Sequence, residues 1–286
     1  MYLLNALYIL IIIIGTAAQS VIKKSYGKKG DRGVFIFSAM SVTCACLFFL
    51  IKSGFKINVS GEIVPYAILF AVGYSMAVVF NFLAISAGSL SLSSLAMSYS
   101  LLIPTAYGLI FDNDKASLFF YLGILLLAVS LFLINSKKGD NEITLKWAVF
   151  AVLSLVGNGV CSTVLTVQSA YFGGKYDSSF MVIALSIVAA VLFTVAFFKE
   201  KEKLLPSIKG GWGFMVACGV ANALVNLFVM LGGAVMDKSL MFPLVSAGGI
   251  IATWLIAAFV YKEKLTKTQN IGMLLGVASI VFLNLN

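Results

Sequence analysis

The sequence contains no histidine and few charged residues of either sign. Charged residues make up 11% of its 286 positions, whereas soluble domains carry roughly 25%. Hydrophobic residues make up 61%, and the mean hydropathy is +1.04. A water-soluble fold of this size cannot bury so much apolar surface, because a large share of any folded surface stays in contact with water. The composition therefore predicts an integral membrane protein.

The residue types that usually build metal centres and catalytic sites are also scarce. All four cysteines fall within apolar stretches, where a thiol usually serves as a small core residue. The sequence has no zinc-protease or serine-hydrolase motif and no pair of acidic residues within an apolar stretch. We therefore predict that the protein is not an enzyme and that it uses no metal and no cofactor.

Ten apolar stretches follow one another along the chain. A helix needs ~20 residues to cross ~30 Å of hydrocarbon at about 1.5 Å per residue, and each stretch is long enough to do so. They cover residues 2–22, 33–54, 63–87, 89–111, 116–135, 147–170, 178–198, 210–235, 239–261 and 268–285. We expect an all-α polytopic membrane protein with ten transmembrane helices and short loops.

Lysine and arginine are distributed unevenly between the two sides of this predicted bundle. Fifteen of the twenty fall on one side, beginning with a cluster that runs from Lys23 to Arg32. The other side has Lys52, Lys56, Lys115, Lys175 and Lys238. Because cytoplasmic loops carry the excess of basic residues, both termini are predicted to be extracytoplasmic. The same clustering accounts for the net charge of +9 without a nucleic-acid partner.

The two halves of the chain resemble each other. The segment Ser25–Asp31, SYGKKGD, is similar to Tyr171–Asp177, YFGGKYD, at an offset of 146 residues. The pair Asp114 and Lys115 is similar to Glu263 and Lys264, at an offset of 149 residues. Chance similarity between apolar segments is the alternative, but the shared order and nearly constant offset favour a duplication.

A duplicated unit of five helices has a consequence for topology. Since five is odd, the second copy enters the membrane from the opposite side, as in the inverted repeats of secondary transporters. We therefore predict two inverted five-helix repeats, residues 1–140 and 141–286, that form one integrated membrane domain.

The segment that begins YKEKLTKTQNIG, from Tyr261 to Gly272, resembles the acidic residue, loop and glycine-rich last helix of EamA-type transporters. A degraded copy runs from Asp114 to Gly123. On this basis the whole chain resembles the drug/metabolite transporter superfamily. The resemblance implies a ten-helix fold in which helices one, three, four, six, eight and nine line a central cavity. Several family members are described with cytoplasmic termini, opposite to the orientation that the charges predict.

Polar residues recur on one face of several apolar stretches. Asn158 and Ser162 are four residues apart, as are Asn222 and Asn226, so each pair shares a helix face. Polar atoms that face lipid are costly, so such faces are expected to line a solute path. The predicted substrate-binding residues are Thr16, Gln19, Tyr74, Asn81, Ser98, Tyr99, Asn158, Ser162, Asn222, Asn226, Ser246 and Trp254.

Each of these residues also has a purely structural interpretation. A serine or threonine in a membrane helix often donates to the carbonyl four residues earlier. Tyr74 and Tyr99 could fill core space, and Trp254 could face lipid. Glycines allow two membrane helices to approach closely, so Gly272 and Gly276 are predicted to pack against the fifth helix near Gly123.

The positions of the acidic residues limit the class of substrate that the protein could transport. All eleven fall at or near the ends of the apolar stretches. Small multidrug exporters of the resembled superfamily use a carboxylate in their first helix, which this sequence lacks. We predict alternating-access transport of a small neutral or zwitterionic metabolite, such as an amino acid. Export of drugs or cations and flipping of a lipid-linked sugar stay open as alternatives.

The expected partners are the small-molecule substrate and the lipid bilayer. The protein is expected in the plasma membrane, as a monomer or a homodimer.

Overall fold

A computed structural model describes the chain at residues 2–28, 32–101, 103–104, 107, 117–135, 144–235, 238–262 and 265–283. Within these residues, ten α-helices can be bounded and no strand occurs. The helices are α1 (Tyr2–Gly27), α2 (Val34–Lys52), α3 (Val64–Ala87), α4 (Leu90–Ser98), α5 (Leu118–Asn135), α6 (Leu145–Phe172), α7 (Asp177–Lys199), α8 (Leu204–Val235), α9 (Lys238–Phe259) and α10 (Lys267–Leu283). Short 3-10 helices occupy Gly61–Ile63, Tyr99–Leu101 and Lys201–Lys203.

Six helical segments of the described chain are long and apolar enough to cross a membrane, judged by length and composition. They are Asn5–Gly27, Val34–Lys52, Gly61–Ala87, Leu145–Ser169, Asp177–Lys199 and Lys201–Gly232. Large apolar side chains such as Ile14, Leu125 and Phe198 are exposed on the outside of the bundle, where lipid is the favourable solvent. The prediction of an all-helical membrane protein is confirmed, whereas ten spans in two inverted repeats remain a prediction.

Some residues on which the repeat was predicted lie outside the described part of the chain. They are Lys29, Gly30, Asp31, Asp114, Lys115, Glu263 and Lys264.

The start of α2 is fixed by a carboxylate from a distant part of the chain. The first backbone N–H groups of a helix have no partner within that helix. Glu200, after α7, accepts hydrogen bonds from the backbone N–H groups of Val34 and Phe35 with Oε1, at 2.7 and 3.0 Å. Its Oε2 accepts from Ile36 N–H at 2.9 Å. This cap satisfies three of the free donors and ties α2 to the α7–α8 connection.

The helices pack in pairs that join the two halves of the chain. α1 packs mainly against α8, α2 against α7 and α8, α3 against α6, and α5 against α10. The largest apolar cluster lies between α2, α3, α6 and α7, and its buried aromatic residues include Phe49, Phe70 and Phe180. Each half therefore contributes one side of the core, so neither half forms a separate core of its own.

The contact between α5 and α10 contains the three glycines that the sequence assigned to helix packing. Ser279 Oγ donates to the Gly123 carbonyl at 2.9 Å, and Ser130 Oγ donates to the Gly272 carbonyl at 2.7 Å. A Cβ on Gly276 would lie 3.0 Å from Ser130 Oγ and 2.7 Å from the hydroxyl of Tyr99. The absence of side chains at these glycines allows the close contact.

The closest approach of α3 and α6 occurs at Gly157. A Cβ built at this residue would lie 2.6 Å from both the Ala77 backbone nitrogen and the Gly73 carbonyl oxygen. Backbone atoms in packed helices cannot move aside as a flexible side chain could. We therefore expect Gly157→Ala to destabilise the protein by about 1–3 kcal/mol, seen as a lower melting temperature in detergent.

Gly213→Ala is the matched control, because no atom lies within 4 Å of a Cβ at that position of α8. It should leave the melting temperature unchanged or slightly higher, since alanine is the better helix former. Equal melting temperatures for Gly157→Ala and the unsubstituted protein would contradict the close approach of α3 and α6.

Candidate substrate cavity

A cavity of about 560 Å³ lies inside the bundle. It is lined mainly by residues of α1, α3, α4, α6, α8 and α9, together with Ser100, the turn between α6 and α7, and Asp177 at the start of α7. These are the six helices that the resemblance implies around a central cavity. The volume falls within the range of about 300–1,000 Å³ that is usual for small-molecule sites.

The structure brings most of the predicted substrate-binding residues to this cavity. Nine of the twelve line it: Thr16, Gln19, Tyr74, Asn81, Ser98, Asn158, Ser162, Asn222 and Asn226. Whether they bind a substrate stays a prediction, but their side chains share one internal space.

Two of the other three residues lie elsewhere. The Tyr99 hydroxyl forms a 3.1 Å hydrogen bond with Ser130 Oγ, and Tyr99 and Trp254 both pack in the apolar cluster around Met273. Neighbouring helical residues point roughly 100° apart, so Ser98 faces the cavity and Tyr99 turns away from it. In this structure both aromatic residues pack in that cluster and do not appear among the residues that line the cavity, so their predicted contact with a substrate stays a prediction. The side chain of Ser246 lies outside those that the structure describes.

A hydrogen-bonded network of amide and phenol groups lines part of the cavity. The Tyr74 hydroxyl donates to Asn222 Oδ1 at 2.7 Å, and Asn226 Nδ2 donates to the same oxygen at 3.1 Å. Asn222 Nδ2 in turn donates to Gln19 Oε1 at 3.1 Å. This network joins α3, α8 and α1. Each amide can both donate and accept, so the groups can exchange these partners for a polar ligand.

The hydroxyl groups of the cavity are bonded more locally. Thr16 Oγ1 donates to the carbonyls of Ile12 and Ile13 at 3.0 and 2.9 Å, and Ser98 Oγ donates to the Ser94 carbonyl at 3.0 Å. Such bonds to the residue's own helix are the structural role that the sequence left open. The hydroxyl oxygens can still accept a hydrogen bond from a ligand.

Lys23 lines the cavity but is absent from the predicted substrate-binding residues, as are Ser100 and Asp177. The sequence places it among the basic loop residues, but the structure places it within α1, lining the cavity with 8% of its surface exposed. Its Nζ donates to Asn81 Oδ1 at 2.8 Å. The sequence spacing indicates this position, because Lys23 lies four residues after Gln19 and seven after Thr16 and thus shares their helix face.

The neighbouring Lys24 is also bound within the protein. Its Nζ donates to the backbone carbonyls of Ile85 and Gly88 at 3.1 and 2.6 Å. With these two residues removed from the count, thirteen basic residues remain against five. The charge distribution therefore still predicts extracytoplasmic termini, which stays a prediction.

The two ends of the cavity differ. One end reaches the surface at the α6–α7 turn, where the exposed Gly173 and Gly174 are lining residues. Asp177, the first residue of α7, also lines this end and accepts hydrogen bonds from Gln168 Nε2 and Ser169 Oγ at 3.1 and 3.4 Å. We call this end the open end.

Lys23 lies at the opposite end. Its partner Asn81 is fifteen residues along α3 from Tyr66, about 22 Å at 1.5 Å per residue, and Tyr66 packs on Phe172 beside the α6–α7 turn. We call the Lys23 end the closed end.

Hydrogen bonds from α1 to the residues after α9 lie beyond Lys23. The Tyr261 hydroxyl forms a 2.7 Å hydrogen bond with Ser25 Oγ and donates to the Val21 carbonyl at 3.0 Å. The ammonium group of Lys28 lies 4.4 Å from the centre of the Tyr261 ring. These contacts hold the two halves of the chain together at the closed end.

Comparison with known proteins shows first a similarity of fold. One solved crystal structure matches this fold with a TM-score of 0.66 at 14% sequence identity, covering 97% of this chain and 95% of that chain. An uncharacterized protein of Haemophilus influenzae is 23% identical over 281 residues, which is 94% of each chain.

The pattern of the EamA-like transporter family matches residues 149–285. This match to the second half of the chain confirms the predicted resemblance to the drug/metabolite transporter superfamily. It supports a membrane transporter of that type, and the family's transport role favours the prediction that the protein is not an enzyme.

The asymmetry of the cavity can be tested by thiol labelling in a variant without the four native cysteines. Ser169→Cys lines the open end, so we expect a water-soluble methanethiosulfonate reagent to label it rapidly in detergent. Ser38→Cys is the control, because Ser38 is fully buried in α2 and should react slowly. Similar labelling rates at the two positions would contradict a water-filled cavity that opens at the α6–α7 turn.

Proposed function

We propose that the protein is a secondary transporter that moves a small neutral or zwitterionic polar metabolite, such as an amino acid, by alternating access. The observation that carries this proposal is the network of Gln19, Tyr74, Asn222 and Asn226 within a closed-ended cavity. The proposal goes beyond the family match, which leaves the substrate and the mechanism open.

The chemistry of the network favours a polar metabolite. Leaving an amide without a partner in an apolar environment costs free energy, and here the amides bond to one another. A ligand with donors and acceptors can replace these bonds one for one. A purely apolar ligand would leave the amides unpaired, so the cavity discriminates against it.

The arrangement of the helices supports alternating access. If residues 1–140 and 141–286 are two inverted repeats, α1 to α5 correspond in order to α6 to α10. The packed pair α1–α8 then corresponds to the pair α6–α3, and both pairs are in contact. The same correspondence maps α2–α7 and α5–α10 onto themselves. Rocking of the two repeats about the cavity would break the Ser25–Tyr261 contact and close the α6–α7 end.

Two charged residues bear on the alternative of a cation exporter. Asp177 at the open end would attract a cation, but its oxygens are bonded to Gln168 and Ser169. Lys23 at the closed end would repel a cation that moves deeper. The neutral or zwitterionic substrate is therefore favoured.

Both halves of the cavity come from one chain, so a monomer in the plasma membrane suffices as the transport unit. A homodimer would place two such cavities side by side.

The proposal predicts ligand stabilisation of the purified protein. A thermal-shift screen in detergent would compare amino acids, nucleosides, sugars, polyamines and quaternary amines, because a ligand that binds the folded state raises its apparent stability. We expect an amino acid or another neutral or zwitterionic metabolite to raise the melting temperature. Asn222→Ala should abolish this shift, because it removes the amide that joins Tyr74 to Gln19.

Thr194→Ala is the control, since Thr194 is exposed on α7 and donates to its own helix at Ala190. It should keep the full ligand shift. A screen in which only lipophilic quaternary amines stabilise the protein would support a cation exporter and overturn the neutral-substrate proposal.

A further inference from the structure

The closed end of the cavity contains a buried lysine, Lys23, that pairs with no carboxylate among the residues the structure describes. Lys23 is 8% exposed, and its Nζ donates to the neutral Oδ1 of Asn81 at 2.8 Å. None of the carboxylates in the described part of the chain pairs with this ammonium group. Glu200 is committed to the start of α2, and Asp177 lies at the open end.

A cation in this position is costly unless something compensates its charge. Burying an ammonium group without a counter-ion carries a penalty of several kcal/mol, and ionisable groups inside membrane proteins usually serve a function. The neighbouring Lys24 is stabilised by the protein itself, because its Nζ donates hydrogen bonds to two backbone carbonyls. Lys23 faces the cavity instead, so a bound ligand can supply the missing negative charge.

We propose that Lys23 is an anion-binding residue that receives the carboxylate of the transported substrate, an inference that rests on the proposed function. A single ammonium group balances the single charge of a carboxylate, whereas a phosphate dianion would need a second cation. The substrate class is therefore narrowed from neutral or zwitterionic metabolites to those that carry a carboxylate, with amino acids as the matching zwitterions.

The spacing of the cavity residues suits this orientation of the substrate. Gln19 lies four residues before Lys23 on the same face of α1, about 6 Å along the helix axis. That separation matches the distance across a small amino acid. The carboxylate would lie at Lys23 and Asn81, and the rest of the molecule would reach the amide network at Gln19 and Asn222.

The test compares each amino acid with its own carboxamide, which keeps the side chain and the ammonium group but lacks the carboxylate. Affinities are measured on the purified full chain by thermal shift and by calorimetry. We expect each amide to bind roughly tenfold to a hundredfold more weakly than its acid, as expected for loss of a charge-assisted hydrogen bond. Lys23→Gln should weaken binding of the acid by a similar factor without weakening binding of the amide, which carries a net positive charge, and Lys23→Arg should keep most of the preference for the acid.

Asn81→Asp is a second variant, which does not remove the lysine. It places a carboxylate 2.8 Å from Nζ, where it pairs with Lys23 and competes with the substrate. The acid should bind as weakly as it does to Lys23→Gln, without a fall in the melting temperature of the ligand-free protein. A merely structural Lys23 would be stabilised by Asn81→Asp with no loss of binding. Lys201→Gln is the control, because it removes one exposed charge outside the cavity.

The outcomes separate this inference from the proposed function. If the acid and its amide bind equally well and Lys23→Gln changes neither affinity, the carboxylate site is wrong and the polar-metabolite transporter stands. If inorganic phosphate stabilises the protein and no carboxylate binds, the carboxylate assignment is overturned in favour of phosphate. If no compound of the panel stabilises the unsubstituted protein, the proposed function fails and this inference fails with it.

Discussion

Lipid offers no hydrogen-bond partner, so backbone polar groups within the hydrocarbon region of a membrane must find theirs inside the protein, and polar side chains are costly there without one. This constraint explains where the polar residues of the chain lie. The Glu200 carboxylate satisfies the first N–H groups of α2. The cavity amides satisfy one another across three helices. Among the described residues, Lys23 Nζ donates only to the neutral Asn81 oxygen, so a carboxylate ligand would improve its environment more than that of the cavity amides.

Close packing of small residues places these groups around a common space. α3 and α6 approach so closely at Gly73 and Gly157 that a Cβ at Gly157 would meet backbone atoms. Because of that approach, Tyr74 and Asn158, the residues that follow the two glycines, line the same cavity. Thus the close contact of the two helices at these glycines positions the neighbouring residues whose side chains line the cavity.

Sequence reasoning succeeds where one physical rule dominates. Hydropathy predicts the membrane class because lipid is the only solvent that suits this composition. Helical spacing groups Asn158 with Ser162 and Asn222 with Asn226, and the structure places all four at the cavity. The direction in which each side chain points around the helix axis is harder to predict. That direction places Ser98 at the cavity and its neighbour Tyr99 in the core.

Lys23 shows why a general rule can hide a site. Basic residues after an apolar stretch usually mark the cytoplasmic end of a span, and that explanation is sufficient for most of this chain. The rule does not tell whether α1 continues past the lysine. In the structure the helix extends to Gly27, so Lys23 stays on the helix face of Thr16 and Gln19 and turns into the cavity.

The central claim is that the polar cavity carries a solute from one side of the membrane to the other. Counterflow in proteoliposomes tests it most directly, with the vesicles loaded with an unlabelled amino acid that stabilises the protein and the same compound radiolabelled outside. An alternating-access transporter should accumulate the label transiently above its outside concentration, and Asn222→Ala vesicles should not. Stabilisation by the amino acid without any counterflow would contradict the account and identify the cavity as a binding site that does not transport.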